Sequence, residues 1–323
     1  MLHTLYLLDT DKTDPRRNLA VEETILRTVK PGIATLYLWQ NRSTVVIGRN
    51  QNAENECRIQ ELEGDGGFLV RRLSGGGAVY QDLGNLCFTF CVPLDDFDVG
   101  KQTEVILRAV RSLGIDAEKN GRNDLTVNGC KFSGHSYYKT GGKGFHNGTL
   151  MVDVDKAPLE RYLNVSPLKL KAKGVASVRS RVINLKELKP DLTIATLKTA
   201  LIKAYSETYG LPVEQVSEDS LDSAILAECT AEFSDPDWIY GTSRPMEKSK
   251  EDRFDWGTVR LDYSAENGVI SDAALWSDGL DAEGLSQIPD LLKGAPLSPA
   301  PLTERLETVL SPEMVRDILT LLL

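Results

Sequence analysis

"RRLSGGGAVYQDLGN", residues 71–85, places two arginines ahead of three successive glycines. Gly75, Gly76 and Gly77 contribute no side chain to packing, so they mark backbone that takes unusual dihedrals or lets something approach closely. Exposed main-chain N–H groups of this kind commonly hold phosphate. A flexible hairpin turn is the alternative. The flanks "GGFLVRRL" and "GAVYQDL" are rich in β-branched and aromatic residues and read as strands. The glycines therefore lie between strands and do not open a helix. With no GxxxxGK[ST] in the chain, a P-loop and a dinucleotide fingerprint are both excluded. Arg71 and Arg72 occupy adjacent strand positions and face opposite ways, leaving one for a ligand and the other for a solvated or salt-bridged surface.

Outward from this stretch, strand-like segments come without regular alternation with helices. "ATLYLWQN", "STVVIGRN", "NLCFTFCVPL", "GTLMVDVD" and "SVRSRVINL" all read as strands. Asn128-Gly129 in "DLTVNGCKFSG" predicts a tight hairpin. Helices are expected after an Asn18 cap through "LAVEETILRTV", over "QTEVILRAVRSL" closed by Gly114, and from Thr193 to Tyr209 closed by Gly210. Ser311 and Pro312 open a last one. The polar stretch "YGTSRPMEKSKEDRF", residues 240–254, reads as a linker. Beyond it come the strand-like "TVRLDYS" and "GVISDAALW", then helical patterns. The expectation is an α+β fold with a larger domain over residues 1–245 and a small α+β domain over 246–323.

Composition narrows the function. The chain has 323 residues, 41% of them hydrophobic, and a formal net charge of −10. Such a balance argues against broad nucleic-acid binding. No apolar run reaches membrane-spanning length, and the N-terminal stretch lacks a basic leader. Five cysteines without paired spacing predict a reducing, cytoplasmic setting. With three histidines and no CxxC, a structural zinc site is not expected.

A second candidate site lies downstream in "GRNDLTVNGCKFSGHS", residues 121–136. Strand alternation puts Lys131 and Ser133 on one face, about 7 Å apart, and Cys130 and Phe132 on the other. A lysine followed by Ser133 and Gly134 suits a polar ligand lying against the backbone; a surface lysine on an exposed hairpin is the alternative. In an otherwise acidic chain, "KLKAKGVASVRSRV" gathers Lys169, Lys171, Lys173, Arg179 and Arg181, either as an anion-binding surface or as a solvated face.

Taken together, "RRLSGGGAVYQDLGN", "GRNDLTVNGCKFSG", "FHNGTLMVDVD" and "KGVASVRSRVINL" resemble, in order and spacing, the lipoate-protein ligase family. "NLAVEE" and "LYLWQNRSTVVIGRNQN" match it too, so the resemblance covers nearly the whole first 185 residues. "RFDWGTVRLDYS" resembles the accessory domain of its long members. The resemblance implies a biotin/lipoate protein ligase-like catalytic domain using ATP, Mg2+ and lipoate. The implied acceptors are lipoyl domains of 2-oxoacid dehydrogenase E2 subunits and the glycine cleavage H protein, with no nucleic acid or membrane involved. Lys131 is the implied catalytic residue. Around ATP and lipoyl-AMP the resemblance places Arg72, Ser74, Gly75, Gly76, Gly77, Ala78, Val79 and Tyr80. From the second motif it adds Asn123, Asp124, Ser133 and Gly134. Beside lipoate it sets His146, Gly148 and Thr149 with Lys131, Arg72 and Gly76. Asp124 is the candidate magnesium ligand, a turn or cap being its alternative.

The implied chemistry needs no general base in its first step, because the lipoate carboxylate is already ionised at neutral pH. It needs positive charge and N–H groups where two anions meet. Family members usually carry histidine where this chain has Gln81, often a second where it has Asn147, and Ser or Ala where it has His135. Burial of roughly seven methylenes gives at most about 5–6 kcal/mol. Octanoate offers nearly the same alkyl surface, so discrimination against it is expected to be modest. An octanoyltransferase with a cysteine nucleophile is the enzymatic rival, with Cys130 as its candidate. A non-catalytic lipoate-binding homologue is the other.

Overall fold

The computed structural model describes residues 2–121, 123–164, 182–241 and 245–323. The strands, in chain order, are β1 (Thr4–Asp9), β2 (Ile33–Trp39), β3 (Thr44–Ile47), β4 (Phe68–Arg71) and β5 (Val79–Gln81). Next come β6 (Asn85–Pro93), β7 (Glu118–Asn120), β8 (Asp124–Val127), β9 (Cys130–Thr140), β10 (Lys143–Met151) and β11 (Val213–Val216). The last are β12 (Lys248–Phe254), β13 (Gly257–Glu266) and β14 (Val269–Ser277). Among the described residues the main sheet runs β11-β1-β2-β6-β10-β9-β8-β7, and a small sheet runs β4-β3-β5. A separate sheet, β12-β13-β14, carries the C-terminal part. Parallel and antiparallel pairs mix in the main sheet, and strands do not alternate regularly with helices, as expected of an α+β fold.

One face of the main sheet packs Phe88, Phe90 and Phe132 against the helices Val99–Ser112 and Ile194–Tyr209. On the other face, Trp39, Cys87 and Phe145 meet the helix Pro15–Thr28, the helix Ser223–Ser234 and the inner side of the small sheet. The C-terminal sheet buries Val259, Leu261 and Leu275 under three helices, the last being Pro312–Leu322 behind its Ser311 cap. This part has its own core.

Local signals hold where local chemistry decides them. Asn128 and Gly129 have φ of 52° and 76°, as a two-residue hairpin demands, and Gly210 closes its helix at φ 70°. Other expectations change. The first helix begins at Pro15, not after Asn18, because Asp14 accepts from the amides of Arg16 and Arg17 and proline fits the first turn. Asn18 is instead buried, donating to the carbonyls of Lys12 and Gln40. Lys248–Phe254 is not linker but an edge strand, whose charged residues suit an unpaired edge. The basic residues Lys169, Lys171, Lys173, Arg179 and Arg181, and residues 177–181 of the expected strand "SVRSRVINL", lie outside the described residues. Of its remainder, Val182 makes an isolated bridge to Lys131, and Leu185 opens the short helix Leu185–Leu188 in place of a strand.

Candidate active site

A cleft lies on the sheet face under the Pro15–Thr28 helix, roofed by the glycine segment between β4 and β5. Its floor can be followed strand by strand: Trp39 on β2 pairs with Cys87 on β6, which pairs with Thr149 on β10. Beside Thr149, Gly148 pairs with His135 on β9. Four adjacent strands span roughly 14 Å at the usual spacing. At the β2 end the walls are Leu19, Trp39, Val46, Val79 and Cys87; at the β9 end they are Asn123, Lys131, Gly134 and Thr149. The cleft therefore has an apolar end and a basic end, with room between for an extended acyl chain.

Lys131 Nζ stands 2.6 Å from Asp124 Oδ1, each side chain about one-third exposed. With both side chains partly in water the pair contributes modestly, although Asp124 Oδ1 itself is covered. The β8–β9 ladder shifts register between Leu125 and Thr126. That bulge turns Ser133 away from the face that Lys131 uses, against simple alternation. Ser133 is fully buried and bonds His135 Nε2 at 3.0 Å. Phe132 enters the core, and Cys130 lies outside the cleft.

Both arginines are buried, so neither is the expected surface residue. Arg71 donates to the carbonyls of Gly48, Arg49, Gln51, Trp238 and Ile239 and ties the small sheet to the helix Pro236–Tyr240. Arg72 lines the cleft but donates to the carbonyls of Val46, Gly75 and Gly77 at 3.2, 2.7 and 3.0 Å, so it holds the glycine segment in shape. Burial pulls each guanidinium down to about 10, which still leaves both charged at neutral pH. Gly76, Gly77, Ala78 and Val79 line the cleft. Gly76 has φ 95°, and a Cβ there would lie 2.9 Å from Arg72 Nη2. Gly75 faces elsewhere: a Cβ on it would meet the carbonyl oxygens of Gly279 and Leu280 at 2.3 and 2.9 Å. Gly76 N–H donates to Gly279 O at 3.0 Å. Part of what approaches the triple glycine is thus the C-terminal part of the same chain.

Other expected residues stand further back. Tyr80 is buried in the small sheet, its hydroxyl toward Ser43. Ser74 lies behind the floor, 2.8 Å from Ser136 Oγ. His146 is fully buried on the opposite face, bonded to Gln102 at 3.1 Å and to His135 at 2.9 Å. Burial holds His146 well below the ordinary histidine range and takes His135 down to about 3, Lys131 adding to the latter, so both imidazoles are neutral. His135, Ser136, Trp39 and Cys87 line the cleft although the motifs did not single them out as ligand contacts. Only strand register brings them there. Burial raises the Cys87 thiol far above its usual value, which makes it a poor nucleophile.

Comparison with known proteins agrees with this architecture. Residues 14–206 match the Lipoyl protein ligase A/B catalytic domain family, and residues 243–319 match the Bacterial lipoate protein ligase C-terminus. The chain belongs to the lipoate-protein ligase family. It is 42% identical over 297 residues to lipoate-protein ligase A of Psychrobacter cryohalolentis, covering 90% of this chain and 86% of that protein. It is similar to P. falciparum LipL1, solved in complex with lipoate, with TM-score 0.87 and 26% identity over 98% of both chains. A lipoate-protein ligase A solved with ATP bound gives TM-score 0.65 and 28% identity, covering 75% of this chain and 99% of that one.

Proposed function

We propose that this chain is an ATP-dependent lipoate-protein ligase that activates lipoate as lipoyl-AMP and transfers it to a lysine of lipoyl domains. The observation that carries the reading is Lys131 Nζ at one end of a cleft whose other end is apolar. In the first step a lipoate carboxylate oxygen attacks the α-phosphorus of ATP. A P–O bond forms, another breaks, and pyrophosphate leaves. Lys131, released from Asp124, holds the carboxylate and the α-phosphate together by offsetting their charge. In the second step the acceptor amine attacks the acyl carbon, the C–N bond forms, AMP leaves with the electrons of the C–O bond, and the nitrogen gives up a proton to solvent. Exchange of the Lys131–Asp124 pair for substrate also frees the Asp124 carboxylate. One carboxylate beside phosphate oxygens fits Mg2+, which keeps several waters, so Asp124 would hold the ion while it neutralises phosphate charge.

The acyl chain runs toward Trp39 and Cys87, and Gly76, Gly77 and Ala78 face the nucleotide. E2 lipoyl domains and the glycine cleavage H protein are the proposed acceptors, and the cytoplasm the proposed location. A thioester route through cysteine is disfavoured, since Cys130 lies off the cleft and Cys87 is held protonated by burial. The test is pyrophosphate release from ATP and lipoate with no carrier protein present. Release that needs lipoate supports the ligase; its absence, with octanoyl transfer from a carrier in its place, sinks it.

A further inference from the structure

Part of the cleft floor is polar, Ser136 and Asn147 lining it alongside Trp39 and Cys87, which is unexpected under an apolar acyl chain. Beside it, on the Pro15–Thr28 helix, Glu22 is 1% exposed. Its Oε1 accepts from Thr89 Oγ1 at 2.6 Å and from Asn147 Nδ2 at 2.9 Å. Trp39 Nε1 donates to Thr89 at 3.3 Å. Ser136 Oγ donates to Asn147 Oδ1 at 2.6 Å, and Ser74 and Ser136 hydroxyls are 2.8 Å apart.

An ionised carboxylate can only accept, so Asn147 must turn its NH2 toward Glu22 and its oxygen toward Ser136. Ser136 then has its single proton on Asn147, and Ser74 must be the donor to Ser136. The protons run Ser74 to Ser136 to Asn147 to Glu22 from one side, and Trp39 to Thr89 to Glu22 from the other. Each of these five side chains directs a proton inward. A buried donor left without an acceptor typically costs about 1–3 kcal/mol, and an acyl chain laid over it would keep water from helping.

We propose that Glu22 is a positioning residue: as a carboxylate it fixes the direction of every hydrogen bond in the cleft floor, so that the floor receives an apolar acyl chain. This rests on the lipoate reading and goes beyond it, and it gives Asn147 a role in place of the histidine usual in the family. The groups facing Glu22 are Thr89 of β6, Asn147 of β10, the Arg72 guanidinium and the neighbouring Glu23, with Tyr37, Cys87 and Cys91 nearby and neutral. Neither bonded partner is free to take a proton from Glu22: Asn147 Nδ2 only donates, and Thr89 Oγ1 already accepts from Trp39. Burial raises this carboxyl to about 7, so its ionisation falls within the working pH range.

The test is lipoate binding by calorimetry to the full-length chain, at several pH values from about 6 to 8. Wild type should bind more tightly as pH rises through neutrality. Glu22→Gln should weaken binding at least about tenfold, equivalent to 1.4 kcal/mol, and remove that pH dependence. Asn147→Asp sets two carboxylates in contact that must share a proton, so its binding should weaken as pH rises. Combining Glu22→Gln with Asn147→Asp restores one carboxylate and the donor order, and should recover affinity to within about threefold of wild type. Equal binding by wild type and Glu22→Gln, or a double variant no better than the weaker single one, overturns the proposal. So does a lowered melting temperature with unchanged affinity and pH profile. A wild type that binds no lipoate would overturn the ligase reading, and this proposal with it.

Discussion

Gly75→Ala separates two uses of the triple glycine. Gly75 does not have a left-handed φ, so an alanine backbone is tolerated there. The added Cβ, however, would lie 2.3 Å from Gly279 O, a contact real side chains do not make. Forcing extra volume into a packed contact costs about 1–3 kcal/mol. The polar contacts bridging to the C-terminal part at this place are Gly76 N to Gly279 O at 3.0 Å, Ser277 N to Asn50 O at 2.7 Å and Asn50 Nδ2 to Ala282 O at 2.9 Å. At a net 0.5–1.5 kcal/mol each, they amount to about 1.5–4.5 kcal/mol, the same scale as the clash. Parting of the two parts is therefore the easiest relief. Docking should weaken by roughly 5- to 150-fold. Amide exchange at Gly76 and Ser277 should rise by a similar factor, and small-angle scattering should report a larger radius of gyration. If exchange and scattering stay at wild-type values while ATP binding is lost, Gly75 serves the nucleotide and the interdomain argument is wrong.

Four further outcomes are expected. Lys131→Met should lower pyrophosphate release about a hundred- to a thousandfold. Cys130→Ser should cost far less, and the reverse ranking would favour the thioester rival. A chain ending near Gly241 should still transfer lipoate from preformed lipoyl-adenylate but make that adenylate poorly; equal loss of both activities argues against a separable role. Lys169→Glu with Lys171→Glu should raise the KM for the acceptor domain and spare adenylation, less so at high salt, whereas an unchanged KM would assign these lysines to a solvated face. Stability should fall as pH drops from about 6.5 toward 3, because His135 and His146 are held neutral by burial in the fold and protonate first in the unfolded chain. Thermal melts of His135→Ser should show a shallower acid-side loss than wild type.

What the sequence made legible was what short-range chemistry controls. The Asn128-Gly129 hairpin, the Gly210 cap and the Ser311-Pro312 start each depend on a few adjacent residues, and the ordered motifs identified the family. Asn267-Gly268, at φ 52° and 77°, is the same hairpin signal between β13 and β14 and was equally open to reading. Contacts set over distance were not legible. The bulge opposite Leu125 and Thr126 reversed the facing of Ser133, and alternation alone could not reveal it. Arg71 reads as a charge in sequence but acts as a buried donor to five carbonyls supplied by two distant segments. Glu22 reads as one acid in a helix; only pairing of β6 with β10 brings Thr89 and Asn147 to it.

The central claim is tested most directly by intact mass measurement of a purified lipoyl domain incubated with the full-length chain. With ATP and lipoate the account predicts a mass gain of one lipoyl group on one lysine, lost when ATP is omitted and lost with Lys131→Met. A gain from octanoyl carrier protein without ATP, or none with lipoate and ATP, would contradict it.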